Sequence, residues 1–555
     1  MFKKVSLYSF LALLIFTTGA FFGKQVQMEK ITVPMVQGAQ KLLGLSFTPA
    51  QIDTALAELT DLRNGYTRLR EVKVENSVPP ALQFNPIPIG FQFGREKEKF
   101  KVSSIEKVSL PANREDLAFY SVRELADLLR NKKITSLELT QFFLERLKRY
   151  NTQLHCVTSF TEDLALQQAR QADAEIKAGK YKGLLHGIPF GVKDLLSTKG
   201  YKTTWGSVPY KDQVLEEDAT VVTKLREAGA VLVAKMTLGE LAMGDVWYGG
   251  KTRTPWDVTR GSSGSSAGSA SAVAAGLLPF AIGTETLGSI VSPSNACGTT
   301  GLRPTYGRVS RHGAMALSWS MDKIGPIART VEDCAIVFNA IYGPDGKDQT
   351  VYGAPFNYNA KQDLKKLRIG YLKSDFERNY PTKAQDQATL EALRKAGHEL
   401  IPIELPKIPV NDLVMTISVE GATAFDEITR NNKVADMVNQ DKNAWPNTFR
   451  SARFIPAVEY LQAQRVRYQL IQEMHKMMEQ VDVYVSPSFA SSNLVVTNLT
   501  GHPCVVVPNG FNARNLPTTI TFIGKLFGEA DLLAFAKAYQ DGTDFHKKHP
   551  AAFLK

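Results

Sequence analysis

The feature that most constrains this chain is a run of small residues at 261–304, reading GSSGSSAGSASAVAAGLLPFAIGTETLGSIVSPSNACGTTGLRP, in which charges are almost absent. A flexible Gly/Ser linker has no reason to alternate with apolar blocks. Here the run leads into a helix-like apolar block at 270–275, a Gly-Leu-Leu-Pro turn and a strand-like segment at 280–283. A second small-residue turn follows, Thr286-Leu287-Gly288-Ser289. Tight glycine turns let backbone N–H groups approach a ligand closely. A hydroxyl beside such groups suits acyl transfer, whose tetrahedral oxyanion is held by preorganised donors.

A serine nucleophile needs a base, and the base need not be histidine. No histidine lies close in sequence to this stretch before His312. Lys193 instead terminates an apolar, Gly-bounded strand, G-I-P-F-G-V-K-D at 187–194. Burial disfavours the charged form of lysine and lowers its pKa, which makes the side chain usable as a base. Taken alone, the plainer alternative is a lysine snorkelling at a strand end or paired with Asp194.

Three ordered blocks together resemble the amidase signature family. They are residues 187–194, the Gly/Ser block preceded by Pro255-Trp256-Asp257 and Arg260, and G-T-E-T-L-G-S-I at 283–290. Gly301-Leu302-Arg303-Pro304-Thr305, Gly307-Arg308-Val309-Ser310, Asp322-Lys323-Ile324-Gly325-Pro326 and Arg329-Thr330 extend the match. It covers about 120–330 well and continues weakly through Ser486-Pro487 and Thr500-Gly501-His502-Pro503. The resemblance implies a Ser-Ser-Lys triad with Ser289 as nucleophile, Ser265 as a bridging serine after a cis peptide bond, and Lys193 as base. It implies an oxyanion hole from the backbone N–H groups of Thr286, Leu287, Gly288 and Ser289. Ser266, Ser269 and Glu285 are expected to support the loops, and Ala242 and Met243 fall where the family contributes pocket wall. Ser265 could carry a proton between Ser289 and neutral Lys193, then to the leaving amine. The family pattern G-T-D-T-G-G-S-I-R is altered here at Glu285, Leu287 and Val291, which bears on loop support and substrate choice.

The four cysteines, Cys156, Cys297, Cys334 and Cys504, form no C-x-x-C pair, and the eight histidines include no H-E-x-x-H. Neither a metal site nor a disulfide framework is indicated, and no cofactor is expected. Cys297, eight residues past Ser289, reads as a small buried residue, and Trp205, Trp247, Trp256 and Tyr248 read as core. The net charge of +11 is dispersed over 555 residues, which describes a mildly basic surface more than a nucleic-acid interface.

Residues 1–23 carry Lys3-Lys4, an apolar run at 5–16 and the small triplet Thr18-Gly19-Ala20. This is the pattern of a signal peptide, or of an uncleaved membrane anchor since Phe21 and Phe22 lengthen the apolar run. Either places the enzyme body outside the cytoplasm, in the periplasm or cell envelope. Residues 24–118 are expected to form a helical and extended arm, with helical periodicity in Ile52, Leu56, Leu59 and Leu62 and an extended stretch at Pro79, Pro80, Pro86 and Pro88. The main domain spans 119–555, with its signature core at about 185–330 and a variable, helical, substrate-pocket region at about 409–480. Ser121-x-x-Glu124 and Thr135-x-x-Glu138 are capping boxes. Helices are predicted at about 162–178, 219–228, 330–341, 383–396 and 531–540, and strands at 188–192, 231–234, 367–372, 400–403, 481–487 and 504–508. The alternation gives an α/β fold. The resemblance implies a large mixed twisted sheet covered by helices on both faces.

The resulting expectation is an exported serine amidohydrolase that cleaves a linear carboxylic amide of a small molecule through an acyl-enzyme, without metal or nucleic acid. The N-terminal segment provides a possible membrane association, and oligomeric state is unreadable from sequence. Alternatives are a fatty-acid-amide, carbamate or aryl-ester hydrolase, the A-type subunit of a glutamine-dependent tRNA amidotransferase, and a non-catalytic envelope binding protein on the same fold.

Overall fold

A computed structural model describes residues 29–94 and 96–554, so the leader expected at 1–23 lies outside the described residues. Two units are resolved by their internal contacts, 29–75 and 76–554. The smaller unit is a pair of helices, Val33–Leu42 and Pro49–Glu71. The second opens on a capping box in which Thr48 accepts the Gln51 N–H and the Gln51 side chain accepts the Thr48 N–H. The Gln40 carboxamide closes the intervening turn by accepting the Phe47 N–H at 2.8 Å. Among the described residues, no helix is long and apolar enough to cross a membrane.

The larger unit is built on eleven strands: β1 (Val157–Phe160), β2 (Pro189–Lys193), β3 (Val231–Met236), β4 (Phe280–Glu285), β5 (Thr300–Arg303), β6 (Lys323–Ala328), β7 (Ile369–Leu372), β8 (Leu400–Ile403), β9 (Val483–Pro487), β10 (Cys504–Phe511) and β11 (Pro517–Gly524). They form one mixed sheet in the order β1-β3-β2-β4-β6-β5-β10-β11-β9-β7-β8. Strands β3, β2 and β4 run parallel, and β7 lies parallel to both β8 and β9, whereas β6 and the β5-β10-β11-β9 run pair antiparallel. Successive side chains of a strand point to opposite faces. Accordingly Leu232, Phe280 and Ile282 belong to one hydrophobic core, while Val231, Val233 and Ala281 belong to another. The sheet is therefore buried on both faces, which explains why its central strands read as near-continuous apolar runs.

Both capping boxes form as the sequence dictates. Ser121 and Glu124 cap the helix Val122–Arg130, and Thr135 and Glu138 cap Ser136–Leu154. The helices Glu162–Lys177, Thr220–Glu227, Val331–Ile341, Lys383–Lys395 and Glu529–Asp541 fall where periodicity places them. The helical region at 409–480 is broken into Met415–Ala424, Asp426–Arg430, Trp445–Ala452 and Ala457–Met478. Pro446 and Pro456 sit at the starts of the last two, where a missing N–H costs nothing. Strand β11, PTTITFIG, is rich in β-branched residues yet absent from the predicted strands, and β1, β5 and β6 carry no clear sequence signal. In β6, Gly325 and Pro326 suppress it, yet Pro326 pairs opposite Ile282 in the sheet interior.

Candidate active site

The C-terminal end of β2 delivers Lys193 into the interior, where its side chain is fully buried. Parallel β2 pairs with β4 through Val192 and Ile282, which sets Lys193 beside Thr284. The Lys193 Nζ donates to Ser265 Oγ at 2.8 Å, Thr284 Oγ1 at 2.9 Å and Ser266 Oγ at 3.2 Å. Asp194, the alternative partner for Lys193, is taken by another cation. Its Oδ1 lies 3.0 Å from Lys235 Nζ, and its Oδ2 accepts the Thr204 hydroxyl at 2.6 Å. Burial pulls the Lys193 pKa down to about 7, against the opposing pull of Asp322 and Glu285.

Ser265 and Ser266 lie in the loop before the helix Ala267–Ala274, and the Gly264–Ser265 peptide bond is cis. Ser266 is the staple of this loop. Its hydroxyl donates to Thr284 O and accepts the Thr284 N–H, both at 3.1 Å, and its own N–H donates to Ser289 O at 3.1 Å. Ser269 adds a bond to Ile282 O at 3.0 Å. The loop carrying Ser265 and the turn carrying Ser289 are thus tied to each other and to β4. Ser263 closes the far side through a 2.6 Å hydroxyl contact with Ser292.

After β4 the chain turns at Thr286–Ser289, with Gly288 at φ +84°, a left-handed conformation that favours glycine. Among the described residues, the backbone N–H groups of Thr286, Leu287, Gly288 and Ser289 donate no hydrogen bond, and the Ser289 hydroxyl has no partner. Four free donors therefore cluster beside one nearly buried hydroxyl.

Glu285 governs this turn from beneath. Its Oε2 accepts the N–H groups of Ile290 and Val291 at 2.9 and 3.0 Å, and its Oε1 meets Arg303 Nη1 at 2.7 Å and Asn498 Nδ2 at 2.8 Å. Burial pushes the carboxyl pKa up, but the Arg303 charge and these bonds outweigh it and hold it at about 2. Val291 carries no charge, and Arg303 of β5 supplies the cation that pairs with Glu285. Glu285 and Arg303 are the only charged residues of 261–304, a pairing signal already present in the sequence.

Thr284 and Thr286 also line a cavity of about 350 Å³ together with Ala242, Leu195, Met315 and Leu317. Met243 is half-buried and, among the described residues, does not line it. Cys297 is buried and its thiol is pushed up to about 12 by that burial, which disfavours the reactive thiolate. Trp205 and Trp247 are core residues, and Trp256 bonds to Cys297 O at 2.7 Å. No cluster of metal-ligating side chains occurs among the described residues.

The Amidase family model matches residues 138–494, which include every residue of this constellation apart from Asn498. The chain belongs to the amidase signature family. It is 36% identical over 493 residues to the A-type subunit of glutamyl-tRNA(Gln) amidotransferase from Acinetobacter baumannii (strain AYE), covering 79% of this chain and 98% of that protein. Among solved structures it is similar to an amidase family protein from Bacillus anthracis str. Ames, with TM-score 0.70 and 29% identity over 79% of this chain and 93% of that one. The native peptide amidase of Stenotrophomonas maltophilia aligns with TM-score 0.69 and 29% identity over 77% of this chain and 97% of that one.

Proposed function

We propose that this amidase signature protein is a serine amidohydrolase with Ser289 as nucleophile, Ser265 as proton relay and Lys193 as base. The observation that carries the reading is the buried Lys193, whose Nζ sits 2.8 Å from Ser265 Oγ with a pKa lowered to about 7. At neutral pH a substantial fraction of this amine is uncharged and can accept a proton.

Ser289 Oγ bonds to the amide carbon while its proton passes to Ser265, and the Ser265 proton passes to Lys193. The carbonyl oxygen becomes an oxyanion facing the free N–H groups of 286–289. Collapse breaks the C–N bond. Ser265 gives a proton to the departing nitrogen and is resupplied by Lys193, leaving an ester on Ser289. Water then attacks the ester through the same relay, the carboxylic acid departs and Ser289 regains its proton. The substrate is a small linear amide. Residues 1–23 are the sole support for a location outside the cytoplasm. An intact N-terminus on the protein purified from a cytoplasmic fraction would overturn that assignment.

The test of the mechanism needs no substrate. A serine-directed fluorophosphonate should form an adduct on Ser289, mapped by peptide mass spectrometry, and should form none in Ser289→Ala or Lys193→Ala. An unlabelled Ser289, under conditions that label a control serine hydrolase, overturns the reading and favours a binding protein.

A second reading is an amidotransferase subunit of the A type. It is supported by the 36% identity to such a protein over 98% of its length. Ammonia released by the purified chain from glutamine and from no other amide would favour it.

A further inference from the structure

The cavity beside Thr284 has features that the acyl chemistry alone does not require. It is walled largely by Leu195, Ala242, Ala314, Met315, Leu317 and Ile324. Charged groups also reach it: Lys347 lines it, whereas Arg311, Asp348, Asp322 and Lys323 are engaged within the protein. Arg311 is 3.1 Å from Asp348. Asp322 accepts the Thr286 hydroxyl at 2.6 Å and the N–H groups of Leu317 and Ser318. Lys323 donates to Met321 O. What remains for an occupant is the apolar wall together with the polar side chains of His312 and Lys347.

One wall comes from outside the family match. Asn76, Ser77, Pro79 and Gln83 line the cavity, and they precede the matched residues 138–494. This segment is clamped at both ends. Asn76 makes a two-way clasp with Ala316, its Nδ2 donating to Ala316 O at 2.9 Å and its Oδ1 accepting the Ala316 N–H at 2.8 Å. Phe84 sits under the Arg467 guanidinium at 3.7 Å and meets Tyr306 edge-on at 5.0 Å. The strap is thus a fixed wall.

The cavity's position says which part of a substrate it would hold. Thr284 is a direct partner of Lys193, and Lys193 is the partner of Ser265. Ser265 is the group that would protonate the departing nitrogen. We infer that this cavity is the subsite for the substituent on the amide nitrogen, and that the protein acts on secondary amides of compact apolar amines in preference to primary amides. An ammonia leaving group would leave the cavity unused. A volume of about 350 Å³ suits a short alkyl or aryl amine, and the strap would stop a long chain. The inference rests on the serine amidohydrolase reading.

The experiment measures product release by the full chain from acetamide, hexanamide, acetanilide, N-butylacetamide and N-dodecylacetamide, with fluorophosphonate labelling of Ser289 in parallel. We expect kcat/KM for acetanilide and N-butylacetamide to exceed that for either primary amide by at least tenfold, and to fall at least tenfold again for the dodecyl compound. Asn76→Ala should raise the dodecyl-to-butyl ratio at least fivefold. Ala314→Phe, which fills the cavity, should lower the butyl-to-acetamide ratio at least fivefold, and it decides alone if Asn76→Ala does not fold. Preference for a primary amide, or ratios unmoved in natively folded variants, overturns the subsite assignment. So does labelling of Ser289 without cleavage of any compound, and in these cases the hydrolase reading stands. No labelling and no cleavage removes both.

Discussion

Glu285 Oε1 lies 2.7 Å from Arg303 Nη1, with both side chains fully buried. The same carboxylate holds the first two N–H groups after Ser289, at Ile290 and Val291. One ion pair therefore serves both the stability of the sheet and the shape of the turn that carries the candidate oxyanion hole. Breaking such a pair from one side strands a buried charge.

Glu285→Gln is expected to destabilise the protein by about 3–5 kcal/mol, because Arg303 keeps its charge and loses its counterion. The double variant Glu285→Leu with Arg303→Met should recover much of that stability. It should not recover activity, since the Ile290 and Val291 N–H groups lose their acceptor and the turn is free to move. A shift of the reacting groups by about 1 Å costs on the order of 10²-fold. Thermal melts and kcat for the three proteins check this, and a double variant with full activity refutes the positioning role.

The depressed Lys193 pKa fixes the sign of the pH dependence. In the proposed mechanism the neutral amine is the base, so kcat/KM should rise about tenfold per pH unit below about 7 and level off above it. Lys193→Arg should be inactive throughout, since guanidinium does not deprotonate in this range. A profile that falls with rising pH would contradict lysine as base.

Much of the candidate site was legible because its residues are local in sequence. Lys193 closes one apolar strand, and Ser265, Ser266 and Ser289 punctuate a single small-residue stretch, so the fold had only to bring two segments together. Ser266 tying Thr284 to Ser289 is that juncture. What escaped was set by sheet pairing over longer distances. Arg303 reaches Glu285 because β5 and β4 both flank β6, and β6 hides its strand character behind Gly325 and Pro326. Asn498 arrives at the same carboxylate from over two hundred residues downstream. Asn76 and the strap it begins could not be read at all, because a proline-rich extended segment does not announce what it packs against.

Asp333 predicts a stability effect of opposite sign to that of Glu285. Its carboxyl is fully buried, and that burial pushes its pKa up to about 7 despite the nearby Arg329. An acid whose folded pKa is raised contributes stability below its unfolded pKa of about 3.9 and loses it as pH rises to the folded value. Asp333→Asn should therefore raise Tm little at pH 4 and most at pH 8. An increment independent of pH would show that ionisation of Asp333 is not the cause.

Gly268 offers a test of how tightly the serine loop is seated. Gly→Ala within a helix ordinarily gains about 1 kcal/mol. Gly38, in the helix Val33–Leu42, has open space around its missing Cβ, so Gly38→Ala should follow that rule. At Gly268, in the helix that begins just after Ser266, a Cβ would stand 2.2 Å from Cys156 O and 2.6 Å from Thr237 N, both backbone atoms. The helix start must then lift off Thr237, whose carbonyl accepts the Gly268 N–H at 3.0 Å. Overpacking of this kind costs about 1–3 kcal/mol, so the propensity gain is cancelled or reversed. Ser265 sits three residues upstream and moves with the helix start, away from Lys193. Gly268→Ala should accordingly lose kcat by on the order of 10²-fold even at temperatures where it is fully folded. Equal activity in Gly38→Ala and Gly268→Ala, each measured below its own Tm, would mean that the close contact with Thr237 does not position the relay.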